Sequence, residues 1–161
     1  MKKNLLFVLA LAALTVSCKK EVITYVEGDR DKEVMIQFPV WVWSTTNNSF
    51  ETLPNYSFLI DFDKRDYVAV DSIVLIAGLR SESPSDTATV RLFNVTDNSA
   101  IANSVISSNM SAPIQQYAVM QSKNVFSSLP DKRITLAVQI KSAKNTTYVY
   151  VIKPYLKLRR K

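Results

Sequence analysis

From Glu33 onward the chain repeats one pattern: β-branched and aromatic residues at every second position, interrupted by short polar turns. Ile36, Phe38, Val40 and Val42 alternate with Gln37, Pro39, Trp41 and Trp43. Tyr56, Phe58, Ile60 and Phe62 alternate with Ser57, Asp61 and Asp63. The same beat recurs in Ala88–Phe93, in Ile134–Lys141 and in Thr147–Ile152, with weaker runs at Ile101–Ile106 and Ile114–Gln121. A period of two is that of a strand with one buried face. Val68–Leu79 is instead almost continuously apolar, which predicts a strand buried on both faces. The separators, such as Thr45–Ser49, Ser81–Asp86 and Lys144–Thr146, carry turn chemistry. The pattern predicts an all-β domain of about eight antiparallel strands, with no helix after the first eighteen residues. In a chain of 161 residues that points to a two-sheet sandwich, most simply a jelly roll, with a closed barrel as the alternative. A membrane barrel is disfavoured, because Asp61, Asp63, Asp71, Arg91 and Lys141 interrupt any lipid-facing band.

The first eighteen residues follow a different rule. Lys2 and Lys3 precede an apolar run, Leu5–Leu14, which is too short for about 30 Å of hydrocarbon. The run closes on Thr15-Val16-Ser17-Cys18. This stretch resembles a bacterial lipobox, in which a small residue precedes a cysteine that is acylated and becomes the new N-terminus. Thr15 fills the slot where the box usually has a leucine, and Leu14 lies one place further out. The resemblance implies a signal peptide over residues 1–17 and a lipidated N-terminus with a tether over 18–32. It also implies attachment to the membrane through acyl chains on Cys18. Each buried acyl CH₂ contributes about 0.8 kcal/mol, so two or three chains anchor durably where one does not. By resemblance to Gram-negative lipoproteins, a residue other than aspartate after the cysteine, here Lys19, implies the outer membrane or cell surface. Lys19–Lys32 is charge-rich and reads as a tether, with Val22–Val26 as a possible edge strand. Residues 33–161 are then the sandwich domain.

Composition narrows the chemistry. With 47% hydrophobic residues the chain is not a disordered one. Histidine is absent, which excludes histidine dyads, triads and histidine zinc sites. Cys18 is the single cysteine, so no disulfide can form within the chain. Two glycines cannot build a phosphate-cradling loop. Nothing in the chain calls for a cofactor. Loss of Lys2 and Lys3 with the signal lowers the formal charge from +6 to +4.

Half of the mature chain carries a family resemblance. Thr87–Ser104 (TATVRLFNVTDNSAIANS), Leu129–Ser142 (LPDKRITLAVQIKS) and Thr146–Leu158 (TTYVYVIKPYLKL) resemble the closing strands of galactose-binding-like jelly rolls of Bacteroidetes-type lipoproteins and phage-tail proteins. The usual glycines near the penultimate turn are replaced by Lys144-Asn145. The resemblance implies a sandwich and leaves the ligand open, since that fold hosts many binding roles.

Few residues are candidates for a site. Trp41 and Trp43 lie two apart, hence on one face of a regular strand, opposite Ile36, Phe38, Val40 and Val42. They either cap the core or form a platform for a glycan or a protein. Asp61, Asp63 and Asp66, with Asp71, are weak candidates for calcium, which takes hard oxygen ligands. Lys64 and Arg65 oppose a dication there, and a solvated turn is the preferred reading. The carboxylates show no supported pair for acid–base work, so a non-enzyme is expected. Lys153, Lys157, Arg159, Arg160 and Lys161 read as a solvated basic tail, with anionic lipopolysaccharide or membrane phosphate as alternative contacts and no nucleic acid. Asp71-Ser72-Ile73 and Asp86-Thr87-Ala88 resemble the Asp-Ser/Thr-apolar acceptor of Bacteroidetes-type O-glycosylation. Thr87, after a Pro/Ser-rich loop, is the accessible one.

Two functions of different class follow. One is a non-catalytic, lipid-anchored binding module, with glycan as the candidate ligand. The other is an accessory lipoprotein packed against an envelope or membrane-protein partner. The anchor has a direct test: Cys18→Ala should move the protein from membranes to the soluble fraction. A wild-type protein that takes up no label from a fatty-acid analogue contradicts lipidation.

Overall fold

The computed structural model describes residues 32–161 except 112 and 114. The expected signal peptide, Cys18 and the Val22–Val26 segment lie outside the described residues. The described strands are β1 (Glu33–Gln37), β2 (Val42–Thr45), β3 (Glu51–Thr52), β4 (Leu59–Phe62), β5 (Val70–Ser81) and β6 (Ala88–Asn94). They continue with β7 (Ser99–Ala100), β8 (Ile106–Ser108), β9 (Ala118–Gln121), β10 (Ile134–Ser142) and β11 (Val149–Arg160). One sheet has the order β1-β11-β5-β9, with β2 also on β11. The other has the order β3-β10-β6-β7, with β4 on β10 and β8 on β6. Every strand pair is antiparallel.

Three of these strands are broken ones. β1 and β2 share β11, β3 and β4 share β10, and β7 and β8 share β6. Counting each broken strand once leaves eight, ordered 1-8-3-6 in one sheet and 2-7-4-5 in the other. That is the jelly roll of the sequence reading.

Alternation places the core between the sheets. On β10, Ile134, Leu136, Val138 and Ile140 are buried and belong to the core cluster. Ile73, Leu75, Ala77 and Leu79 of β5 and Leu156 and Leu158 of β11 meet them from the other sheet. β5 is buried along most of its length, as its apolar run predicts, since β11 and β9 flank it.

Polar side chains finish what the ladders leave open. β9 pairs with β5 only from Ile76 to Leu79. Beyond it, Ser122 Oγ accepts from Leu75 N at 2.9 Å, and Asn124 Oδ1 accepts from Ile73 N at 3.0 Å. On the outer face of the second sheet, Arg91 Nε donates to Gln139 Oε1 at 2.8 Å, and Gln139 Nε2 donates to Thr52 Oγ1 at 2.9 Å. The Arg91 guanidinium lies 3.8 Å from the Phe50 ring centroid. Buried Asp86 accepts from Ser142 Oγ, Thr147 Oγ1, Thr87 N and Ala143 N, which ties the β5–β6 loop to the β10–β11 loop. Burial opposes its ionisation, yet these four donors outweigh burial and hold the carboxyl below its usual range. Asp86 therefore supports the fold above the ordinary carboxylate range, and its support is lost as pH falls through the lowered value.

Two corrections concern the strands. Ile60 is 58% exposed and Leu59 packs on the core, the reverse of the expected alternation. Asp61 sits at φ 57, and the β4–β10 register shifts there, which turns the phase by one residue. The basic residues after Lys153 are not a tail, because β11 runs to Arg160 and lies between β1 and β5.

Urea denaturation checks the register. Leu136→Ala should cost about 2–5 kcal/mol, as truncations in a sealed core do. Gln139→Ala should cost about 1–2 kcal/mol, because it strands Arg91 and Thr52. A negligible loss at Gln139 would mean that the three-strand polar ladder contributes nothing.

Candidate functional site

The first sheet carries a dislocation that widens toward its edge. From Ile76 to Gly78 on β5 there are two steps, and the paired residues of β11, Tyr155 and Ile152, are three steps apart. On the edge strand the residues paired with these two, Gln37 and Val42, are five steps apart. The extra residues come from two prolines. Pro39 is the centre of a three-residue turn, with Val40 N donating to Phe38 O at 2.7 Å. Pro154 follows Lys153, whose φ of 44 is a left-handed value that a lysine adopts only under constraint. Lys153 N donates to Trp41 O at 2.9 Å and so ties the two irregularities together.

An odd number of steps flips the face to which side chains point. Before the break Val34, Ile36 and Phe38 pack inward, and after it Trp43 and Thr45 do. Trp41 and Val42 both turn outward, at 67% and 48% exposure. The two tryptophans therefore do not share a face, contrary to the regular-strand expectation. Trp43 is half-buried against the core, and its indole N–H is buried without a partner. Trp41 is displayed instead. Lys153 Nζ sits 3.5 Å from its ring centroid on one side. An open cleft of about 320 Å³ is lined by Gln37, Phe38, Pro39, Val40 and Trp41.

The outer face of this sheet continues from Trp41 as a mixed aromatic and polar surface. Ladder partners place Val42, Ile152, Gly78 and Val119 in one row, and Gln37, Tyr155, Ile76 and Gln121 in the next. Tyr117 lies directly over Gly78, where a Cβ would overlap its ring, so glycine here admits the tyrosine. Tyr148 and Tyr150 form a tilted pair at 6.4 Å, and the Arg80 guanidinium lies 4.2 Å from the Tyr150 ring. The Tyr150 hydroxyl donates to Glu82. Burial, then the Glu82 carboxylate, pushes that phenol above its ordinary range. Trp41 precedes β2 and Tyr117 precedes β9, with β11 and β5 between those strands, hence about 14 Å apart across the sheet.

The other candidates are used structurally. Asp61 and Asp66 are exposed, whereas the Asp63 carboxylate faces Arg65, with Nη2 at 2.6 Å. The hydrogen bonds from Arg65 hold Asp63 at about 2, well below a free aspartate. No group of three acidic residues converges as a metal site among the described residues, so the calcium candidates are not brought together. Lys64 lies beside them with its ammonium 3.0 Å from Phe126 O, 2.6 Å from Leu129 O and 2.9 Å from Asp131 Oδ1. Thr87 is half-buried, not open, and its neighbours Asp86 and Ala88 are fully buried. The sequence reading missed Tyr117, Tyr150 and Tyr155. Gly78, a lone glycine inside an apolar strand, was the available signal for a close approach at that point.

No family model matches the chain, and no curated protein matches it. Among solved structures it is similar to the xylan-binding module CBM15, at 8% identity and a TM-score of 0.44, over 79% of this chain and 97% of that one. It is also similar to a CBM61 module in complex with β-1,4-galactotriose, at 10% identity and a TM-score of 0.35, over 80% and 70%. The VP2 subviral particle of infectious bursal disease virus gives 11% identity and a TM-score of 0.42, over 80% of this chain and 37% of that one. Overlaps this loose carry no more than the general likeness of antiparallel sandwiches.

The split between the tryptophans predicts opposite responses. Trp41→Ala should change stability by less than about 1 kcal/mol, the scale of an exposed cation–π contact. Trp43→Ala should cost roughly 2–4 kcal/mol, somewhat less than a fully buried ring. Trp43→Phe should be nearly neutral, since it removes an orphaned N–H. Denaturation curves followed by the remaining tryptophan's emission decide the matter, and equal losses at 41 and 43 would contradict the phase flip.

Proposed function

We propose that this chain is a non-catalytic binding module, lipid-anchored through Cys18 at the outer membrane or cell surface. It takes a glycan on the outer face of the 1-8-3-6 sheet. The observation that carries the reading is Trp41, a tryptophan held open to solvent at a strained break in the sheet. A large ring costs stability when it is exposed, so a position that turns it outward has a use for its face. The surroundings favour sugar over a protein partner. Gln37, Ser44 and Gln121 interrupt the apolar residues, whereas a protein interface calls for a continuous apolar patch. Rings and amide side chains on a rigid sheet supply stacking and directional hydrogen bonds together. The acidic groups at this face are engaged, Glu33 with Lys157 and Glu82 with Tyr150, which leaves no opposed pair for acid–base catalysis there.

A glycan array probed with the mature domain tests the reading. Binding should appear, should change tryptophan emission, and should fall at least about tenfold in Trp41→Ala with the melting temperature nearly unchanged. Binding that survives Trp41→Ala undiminished would remove this face from the reading. An array with no bound glycan would favour the envelope-partner alternative.

A further inference from the structure

We infer that the glycan is an acidic one, a polymer carrying carboxylates on its sugar rings, and that it lies along β11. The inference rests on the glycan reading and adds the charge of the ligand. Leu156 and Leu158 point into the core, so Tyr155, Lys157 and Arg159 point out of the same strand. With Lys153 at the break, three cations and one tyrosine form a line that begins at Trp41. Outward positions on one strand are about 7 Å apart, so the line from Lys153 to Arg159 spans about 20 Å.

The counter-charge on this line is small. Glu33 lies 2.8 Å from Lys157 and 3.9 Å from Arg159, and one carboxylate cannot neutralise both. Farther along the face, Glu82 is held by Tyr150, and Arg80 packs against that same ring. The face as a whole therefore keeps an excess of positive charge, on the strand that carries the aromatic residues. Lys153 makes the coupling specific. Its ammonium is fixed 3.5 Å from the Trp41 ring centroid, at the end of a backbone held in a left-handed conformation. A sugar stacked on the open side of Trp41 would carry a ring carboxylate to the indole edge, within reach of that ammonium. A neutral sugar would leave Lys153 on the Trp41 ring and Lys157 and Arg159 sharing the single carboxylate of Glu33. A polyuronate repeats its charge along its length, which matches a row of cations along a strand better than a single ionic contact would.

The test uses the mature domain and paired polymers. Polygalacturonate, alginate and hyaluronate are the acidic probes. Methyl-esterified polygalacturonan is the control, with the same backbone and its carboxylates masked. Vesicles of anionic phospholipid supply the same charge without sugar. At least one acidic polymer should bind about tenfold or more tightly than the methyl ester or the vesicles. That binding should weaken about tenfold in about 0.5 M salt, where screening shortens to a few ångströms. Lys153→Gln and the pair Lys157→Gln with Arg159→Gln should each weaken it, with circular dichroism and melting temperature showing the fold intact. Equal binding of polygalacturonate and its methyl ester would overturn the acidic assignment and leave the glycan reading standing. Equal binding of vesicles would overturn it in favour of a membrane surface. Failure of all three acidic polymers, while neutral glycans bind the array, would overturn it as well.

Discussion

The structure turns on one hydrogen bond, Lys153 N to Trp41 O, between two strands that have both lost their regular geometry. A sandwich is held together by the rule that alternate side chains face inward. β5 obeys that rule from end to end, but β11 and its edge neighbour each break it once, at the same height. Both halves of β11 stay in phase with the unbroken β5, and Leu156 and Leu158 on one side and Val149 and Val151 on the other are all buried. The site is a by-product of this irregularity: of the residues at the edge break, Phe38 and Val40 turn inward, and Trp41 and Val42 are left facing outward.

Most of the architecture was legible in the sequence. The period of two located the strands, and the eight runs correspond to the eight jelly-roll strands once the broken ones are rejoined. The inward face of β10 could be read directly because its ladder has no bulge between Leu136 and Ser142. Alternation fails where the backbone leaves the regular strand. Asp61 adopts a left-handed conformation with no glycine to announce it, so Ile60 was assigned to the wrong face. Val42 and Trp43 were exchanged for a related reason: Pro39 signals a turn, but not how many residues it consumes.

The site was less legible than the fold. Trp41 stood out by type, yet its separation from Trp43 depends on a register that only the paired strands establish. The basic residues near the C-terminus look like a solvated tail when read alone. Their meaning changes once β11 is placed between β1 and β5, because outward lysines on a central strand line a face instead of trailing from it. The acidic loop shows the opposite limit. Its carboxylates suggested an ion, and the structure instead uses an internal cation: Lys64 gathers two backbone carbonyls and Asp131 around its own ammonium.

β11 is the last strand of the domain in chain order, yet it is the one that joins β1 and β2 to β5. Until it arrives, the first strand has no neighbour and β5 has one bare edge. The pairings of β1 and β2 with β11 therefore span nearly the whole domain, and that of β5 with β11 more than half of it, and they carry the loop-closure cost that makes such topologies slow to form. The sheet is completed only when its two ends meet, and the surface that carries Trp41 and the basic row comes into being in that same closing event.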